Sequence, residues 1–117
     1  MTHHPWVHEF PAAITVCSSE GTILEMNVEA ARIYQENGGM ALVGSNILEC
    51  HPESARDKVE RLLDGRESSI YTFEKNGVKK LVCQVPWYLE GRHAGLIELE
   101  FEIPFQMPHQ VQDTDDA

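Results

Sequence analysis

The sequence predicts an α+β fold, in which a small curved antiparallel sheet carries short helices over its inner face. The clearest observation is the alternation of apolar and acidic residues between Gly95 and Ile103, which is typical of a strand because successive side chains point to opposite faces. The apolar set is Ile97, Leu99, Phe101 and Ile103, and the acidic set is Glu98, Glu100 and Glu102. Strand patterns also flank a central region of helical patterns, which favours one sheet with a helical cover. We expect Leu99 and Phe101 to be buried and Glu100 to lie in solvent.

Composition limits the classes of function. The chain has 117 residues, which suits one domain, and 9 basic against 19 acidic residues give a net charge of −10. Nucleic acids and anionic membranes bind positive surfaces, so neither is predicted as a partner. No apolar run approaches the roughly 20 residues that span a bilayer. The first residues also lack the charged start and apolar middle of a secretory signal.

The cysteines and the acidic residues do not form a recognisable reactive site. Cys17, Cys50 and Cys83 are widely spaced, odd in number and without a C-x-x-C pair. This pattern argues against a disulfide framework and a zinc knuckle, so we expect a cytoplasmic protein without a metal site. No catalytic motif is present, and glutamates along one strand do not converge as acid–base catalysis requires. The chain is therefore not predicted to be an enzyme, and we assign no catalytic residue.

The first third of the chain is predicted to form a hairpin and a helix. Residues 1–10 are a polar and aromatic N-terminal lead-in. Ala13–Cys17 is a short run with β-branched residues, and after a glycine-containing turn Thr22–Met26 returns as the second strand. Asn27 is a good N-cap for a helix over residues 28–36.

The central region is predicted to contain helical turns and a longer helix. Short turns occupy residues 40–44 and 46–49. The segment Cys50-His51-Pro52 opens the longer helix, because proline is tolerated in a first turn. Its buried stripe is formed by Val59, Leu62 and Leu63.

Three strands complete the predicted sheet, over residues 69–74, 78–88 and 93–103. Asn76-Gly77 is the turn signature of a hairpin between the first two, and Pro86 predicts a bulge or an edge position. The remaining residues, 105–117, are expected to be an acidic flexible tail. The domain is thereby predicted to cover residues 11–104.

Several short motifs, in this order, resemble the PAS sensor domain. Phe10–Val16 leads into Glu20–Asn27, which has the form D/E-G-x-I-x-x-x-N and opens a helix. Leu42-Val43-Gly44 matches the L-[IV]-G before the long helix, and Trp87–Gly91 followed by Gly95-Leu96-Ile97 resembles the closing hairpin. The resemblance covers residues 10–103 and implies a five-stranded antiparallel sheet of order 2-1-5-4-3.

The resemblance implies a sensor or interaction module. PAS domains often hold a small molecule between sheet and helices, such as heme, flavin or a carboxylate, and others hold none. The first hypothesis is a sensor that binds a small ligand or cofactor and signals to a protein partner. The second is a ligand-free module that dimerises, and a small enzyme with this fold is a weaker third.

The predicted ligand pocket combines aromatic and soft side chains, and its residues are Tyr34, Cys50, His51, Tyr71, Phe73, Cys83 and Trp87. His51 is a possible heme ligand, but heme-binding PAS domains usually place the histidine further into the helix, where this chain has Asp57 and Lys58. The N-C-R-F-L-Q stretch of light-sensing flavin PAS domains is absent, so flavin is not expected. The cofactor is left open.

The lead-in is predicted to cover the outer face of the sheet, and a homodimer is predicted on the same surface. The alternative is that the lead-in packs on this face within a monomer. Both faces of the first strand are apolar, whereas a sheet with one solvated face shows charges there. The predicted interface residues are Trp6, Val7, Phe10, Thr15 and Cys17. We expect the glutamates of the last strand to lie at the rim of this interface, or to meet Lys79, Lys80 or Arg92, because two copies of an acidic stripe repel each other.

Overall fold

The structure is a computed structural model that describes residues 4–50, 53–65 and 67–113, except for the side chain of Cys50. Its helices and strands, in chain order, are α1 Pro5–His8, β1 Ala13–Ser18, β2 Ile23–Met26, α2 Val28–Ile33, α3 Glu53–Leu63, β3 Ser69–Lys75, β4 Val78–Leu89 and β5 Arg92–Ile103. Three 3-10 turns join α2 to α3, at Gln35–Asn37, Gly39–Leu42 and Ile47–Cys50. The predicted opening of the long helix at His51 and Pro52 lies outside the described residues.

The strands form one antiparallel sheet of order β2-β1-β5-β4-β3. This confirms the predicted fold class and strand order. The last strand, β5, pairs with β1 on one side and β4 on the other, so it holds the two halves of the sheet together. The segment between β2 and β3 supplies α2, α3 and the turns, which pack on one face of the sheet; we call this the inner face.

The core identifies which side chains point to the inner face. Cys17 in β1 lies opposite Leu96 in β5, both are 1% exposed, and both belong to the core cluster that contains Leu62 of α3. Because side chains alternate along a strand, Glu98 and Glu100 share the inner face with Leu96. The outer face of β5 instead carries Leu99 and its apolar neighbours.

The predicted burial of β5 is therefore wrong. Leu99 and Phe101 lie on the outer face and are only half-buried, whereas Glu100 faces the helices. The physical reason is Leu96, which lies on the same face of β5 as the glutamates and packs beneath α3. Beyond Leu96 the inner face of β5 continues with carboxylates, which need polar partners in place of an apolar cover.

The predicted outward orientation of two β1 residues is also wrong. Thr15 and Cys17 are 4% and 1% exposed and lie on the inner face, so they cannot form the dimer interface assigned to them. Their register partners on β5 are Glu98 and Leu96, which share that face. Ile14 and the other even residues of β1 lie on the outer face.

Asn27 joins three parts of the fold through one buried side chain, which is 2% exposed. Its Oδ1 accepts hydrogen bonds from the backbone N–H of Ile14 at 2.9 Å and of Ala30 at 3.1 Å, the second being the predicted N-cap of α2. Its Nδ2 donates to the carbonyl oxygens of Ala12 at 2.7 Å and Val7 at 3.1 Å. The same amide thus fixes the lead-in, β1 and α2 relative to each other.

The lead-in and the tail are described only in part, and the predicted division at residues 11 and 104 stays a prediction. Asn27 holds the lead-in through the backbone of Val7, while the Trp6 side chain is 70% exposed. No helix within the described ranges is both long and apolar enough to cross a membrane.

We predict that Asn27→Asp lowers the free energy of unfolding by about 3 kcal/mol or more, because it removes both Nδ2 donations and places a charge at a buried site. Equilibrium denaturant unfolding of the full chain measures this. The matched control is Asn46→Asp, since Asn46 makes the same two kinds of hydrogen bond at the surface, from Nδ2 to Glu20 O and from Leu48 N to Oδ1. The control should lose less than about 1 kcal/mol. Equal losses in the two variants would contradict the assigned role of Asn27.

Candidate functional site

A cleft of about 210 Å³ lies between α3 and the inner face of the sheet. The apolar side of α3 and Val82 of β4 form its apolar part, and β4 and β5 add amide and carboxylate groups. The lining residues are Tyr34, Ala55, Lys58, Val59, Leu62, Tyr71, Val82, Gln84, Glu98 and Glu100. The cleft exists because α3 is short and covers Leu96 but leaves the glutamate end of β5 open.

Glu98 is the central polar group of the cleft. Its Oε1 accepts a hydrogen bond from the Tyr34 hydroxyl at 2.9 Å, and its Oε2 accepts one from Gln84 Nε2 at 2.7 Å. Among the described residues, no lysine, arginine or histidine forms an ion pair with it. The negative charge is therefore held by two neutral donors, which form strong hydrogen bonds to an ionised acceptor.

The carboxylate of Glu100 forms an ion pair with a lysine of this chain. Glu100 Oε2 lies 3.1 Å from Lys80 Nζ, with side-chain exposures of 17% and 26%. Lys58, which also lines the cleft, places its Nζ 4.7 Å from the centre of the Tyr71 ring, a cation–π geometry. Of the two carboxylates in the cleft, only that of Glu98 thus has no cationic partner in the described chain.

The surroundings of Tyr71 in the cleft raise the pKa of its hydroxyl. Burial raises the pKa of its hydroxyl above the ordinary value of 10.0, and the charges of Glu98 and Glu100 raise it further. All three effects disfavour the phenolate, because a partly desolvated anion beside other anions is poorly stabilised. The Tyr71 hydroxyl is therefore protonated at neutral pH.

Gln84 has a buried polar atom without a partner. The residue is 6% exposed, and its Oε1 makes no hydrogen bond to any described residue. The orientation of the amide follows from Glu98, since Nε2 has to face the carboxylate and Oε1 then turns away. An unpaired buried carbonyl costs about 1–3 kcal/mol, and a bound donor would remove that cost once the side chains that bury the atom moved aside.

Two other spaces adjoin the cleft. A void of about 10 Å³ lies beside Thr15, Met26, Tyr34 and Glu98 and has room for about one water molecule. A wider open depression of about 750 Å³ lies between α2 and the far end of the sheet, and Phe73 lines it. The cleft under α3 is lined by Gln84, whose Oε1 is unpartnered among the described residues.

Neither a protein-family model nor a curated protein matches the sequence. Solved structures do match the fold. The C-terminal domain of a Streptococcus mutans protein is 21% identical, with a TM-score of 0.67 over 82% of this chain and 78% of that one. A sensory box sensor histidine kinase from Vibrio cholerae is 18% identical, with a TM-score of 0.60 over 83% and 86%. The PAS domain of histidine kinase ThkA is 21% identical, with a TM-score of 0.57 over 77% and 97%. The chain has the PAS fold.

The PAS fold places only some of the predicted pocket residues together. Tyr34 and Tyr71 line the cleft, and Phe73 lies on the same face in the neighbouring depression. Cys83 and Trp87 pair with Leu99 and Gly95 of β5, on the outer face, so their assignment to the inner pocket is wrong. These two residues share the face of β4 that points away from the helices. The Cys50 side chain and His51 lie outside the described residues.

Trp87 is held against the sheet by a specific contact. Its indole Nε1 donates a hydrogen bond to the Cys17 carbonyl oxygen at 2.9 Å. A Cβ atom at Gly95, the residue paired with Trp87, would lie 1.9 Å from that same oxygen. Only glycine allows β1 and β5 to approach each other at this point, so Gly95 and Trp87 fix the register of the sheet centre.

The polar residues of the cleft were not predicted from the sequence. Gln84 lies in the mainly apolar stretch of β4, and Glu98 was assigned to solvent. Leu96 is apolar and lies on the same face of the strand as the glutamates. An apolar residue on that face indicates that the face is buried where the glutamates begin.

The described cleft does not fit a porphyrin. It is much smaller than that macrocycle, and none of the described residues that line it is a histidine, cysteine or methionine. Across the described ranges, no three His, Cys, Asp or Glu side chains are grouped as metal ligands. No step of a heme or metal mechanism is derived for this cleft.

We predict that Glu98→Gln lowers the pKa of Tyr71 toward, but not below, 10.0, since it removes one negative charge and leaves the burial. The near-ultraviolet absorbance of tyrosinate measures the titration, and Tyr71→Phe assigns it. Glu102→Gln, four residues along the same strand, is the control and should leave the pKa unchanged. A Tyr71 pKa that does not respond to Glu98→Gln would contradict the geometry of the cleft.

Proposed function

We propose that this chain is a non-catalytic sensory module that binds a small molecule in the cleft under α3 and signals through protein contacts. The observation that carries the proposal is the unpartnered Gln84 Oε1 next to a carboxylate held by neutral donors. A buried polar group without a partner is costly, and a ligand that donates a hydrogen bond removes the cost. The sensor histidine kinases among the fold neighbours support the sensory role.

The cleft is suited to a ligand of a few heavy atoms. Its volume of about 210 Å³ lies below the roughly 300 Å³ at which pockets for drug-sized molecules begin. The ligand would contact α3 through Val59 and Leu62 and β4 through Gln84. Since Cys83 and Val85, the neighbours of Gln84 in β4, lie on the outer face, a shift of this strand would alter both faces of the sheet.

We predict that the full chain purified under non-denaturing conditions from its own host retains a small molecule, detected as an added mass by native mass spectrometry. Gln84→Leu should reduce the retained fraction, because the variant keeps the volume and removes the acceptor. Thr72→Ala, on the outer face of β3, is the control and should retain the molecule as the wild type does.

The proposal is wrong if the wild type carries no added mass and no compound of a metabolite library shifts the amide resonances of Val59, Leu62 and Gln84. Binding that shifts these resonances and is weakened by Gln84→Leu supports it. Binding that leaves them unchanged and shifts another surface contradicts the assigned site.

The outer face of the sheet favours a second candidate function, that of an interaction module. Its apolar residues are half-buried and form a continuous surface over β1, β5 and β4, comprising Ile14, Val16, Leu81, Cys83, Val85, Ile97, Leu99 and Phe101. Apolar surfaces of this extent mark protein interaction sites. We therefore propose a two-fold homodimer through this face, with or without a ligand in the cleft.

The acidic residues of β5 do not oppose such a dimer. Glu98 and Glu100 lie on the inner face, so they do not meet across an interface on the outer face. Within the lead-in, Trp6 and Phe10 are 70% and 45% exposed and stay predicted members of the interface together with Val7. A dimer of this kind would place the two clefts on its outside, open to ligand.

We predict that the wild type sediments as a dimer at micromolar concentration and that Leu99→Lys sediments as a monomer, because a charge then meets an apolar surface. Glu60→Lys, on the exposed side of α3, is the control for the added charge and should stay dimeric. Trp6→Ala tests the lead-in, since its exposed side chain can be removed without loss of the Asn27 hydrogen bonds. A wild type that is monomeric under these conditions contradicts the dimer.

A further inference from the structure

We infer that the ligand of the cleft is a small primary ammonium ion with a short apolar chain. The inference rests on the proposed function, because it takes the same cleft as the binding site. It adds the charge and the hydrogen-bonding class of the ligand, which follow from the groups that line the cleft.

The ion pairs of the cleft favour a cation. Lys80 compensates Glu100 at 3.1 Å, while Glu98 has only the neutral donors Tyr34 and Gln84 among the described residues. Lys58 also lines the cleft, but its ammonium lies over the Tyr71 ring, so a cationic ligand would take the place beside Glu98 that no described lysine occupies. A carboxylate ligand would approach two glutamates and is disfavoured by like-charge repulsion.

The acceptors of the cleft favour N–H donors on that cation. Gln84 Oε1 is buried and unpartnered in the described chain, and the amide it belongs to is hydrogen-bonded to the Glu98 carboxylate. A primary ammonium has three N–H groups, so one bound at the Glu98 carboxylate has N–H groups left for Gln84 Oε1 once the side chains that bury this oxygen move aside. A quaternary ammonium has none and leaves Gln84 Oε1 unsatisfied.

Lys58 shows how the cleft accommodates such a group. Its ammonium lies 4.7 Å from the centre of the Tyr71 ring, so the aromatic face of the cleft already holds a primary ammonium of this chain. The side chain comes from the exposed side of α3 and can move into solvent. We place the ligand in competition with this lysine for the negative potential of the cleft.

The remaining lining selects a short apolar chain on the ammonium. Val59, Leu62 and Val82 provide an apolar surface, and the volume of about 210 Å³ limits the ligand to a few heavy atoms. A butyl chain is of suitable size and serves as the probe. Burial of its methylene groups adds affinity that a bare ammonium ion lacks.

Isothermal titration calorimetry of the full chain with n-butylammonium chloride tests the inference. The comparison compounds are tetramethylammonium chloride, n-butanol and sodium butyrate at constant ionic strength, because a chain of net charge −10 attracts any cation weakly. We expect n-butylammonium to bind with one site and each of the other three to bind at least about tenfold more weakly, as expected for a lost charge-assisted hydrogen bond.

Three variants separate the contributions. Glu98→Gln should weaken n-butylammonium binding by about tenfold or more. Lys58→Met, which keeps the apolar stem, should strengthen it by about two- to fivefold through loss of the competing ammonium. Glu102→Gln, an exposed carboxylate on the same strand, should leave it unchanged.

Equal affinity for n-butylammonium and tetramethylammonium, or equal losses in Glu98→Gln and Glu102→Gln, would overturn the inference. If n-butanol or butyrate binds more tightly and shifts the resonances of Val59 and Leu62, the cation is wrong and the proposed small-molecule site stands. If none of these compounds and no compound of the metabolite library binds at the cleft, both the inference and the proposed ligand-binding function fail.

Discussion

The amide of Asn27 is the interaction on which the arrangement of this chain depends. It has donor and acceptor atoms on one short side chain, so it can bond to backbone N–H and C=O groups at the same time. By bonding Ile14 and Ala30 through Oδ1 and Ala12 through Nδ2, it sets the start of α2 against the edge of β1. The position of α2 in turn determines where Tyr34, the residue after its last turn, meets Glu98. A local capping interaction therefore positions one wall of the cleft.

The two faces of β5 have different roles, and this division organises both proposals. On the inner face, Leu96 belongs to the core while Glu98 and Glu100 belong to the cleft. On the outer face lies the apolar set that contains Leu99 and Phe101. The proposed ligand site and the proposed homodimer interface thus lie on opposite faces of the same strand.

The sequence predicted the architecture because local chemistry determines it. Asn76 and Gly77 both take positive φ, as their hairpin signature requires, and Asn27 caps α2 as expected. The orientation of the strands was harder. Alternation shows that Leu99 and Glu98 face opposite ways, but it does not show which of them faces the helices, and in β1 both sets are apolar. Only tertiary contacts, such as that of Leu96 with the core under α3, decide it.

The sequence predicts part of the cleft. Tyr34 and Tyr71 are among the predicted pocket residues, but nothing in the sequence pattern of β4 distinguishes Gln84 as a residue of the cleft. Its role arises from a neighbour on another strand, since Glu98 lies opposite it and orients its amide. Lys58 likewise acquires its place from the ring of Tyr71, which is on β3. Contacts between residues distant in sequence cannot be read from composition or spacing.

The close approach of β1 to β5 at Gly95 has a consequence for how this chain can change in evolution. Because a side chain at Gly95 would collide with the Cys17 carbonyl and Trp87 bonds to that oxygen, the pairing of the two strands cannot slide. Insertion or deletion of one residue between Gly95 and Ile103 would exchange the glutamates with the outer apolar set. A substitution along this strand alters one of its two surfaces, whereas a change in its length would reverse both surfaces together. A change in length within the turns would leave this register intact.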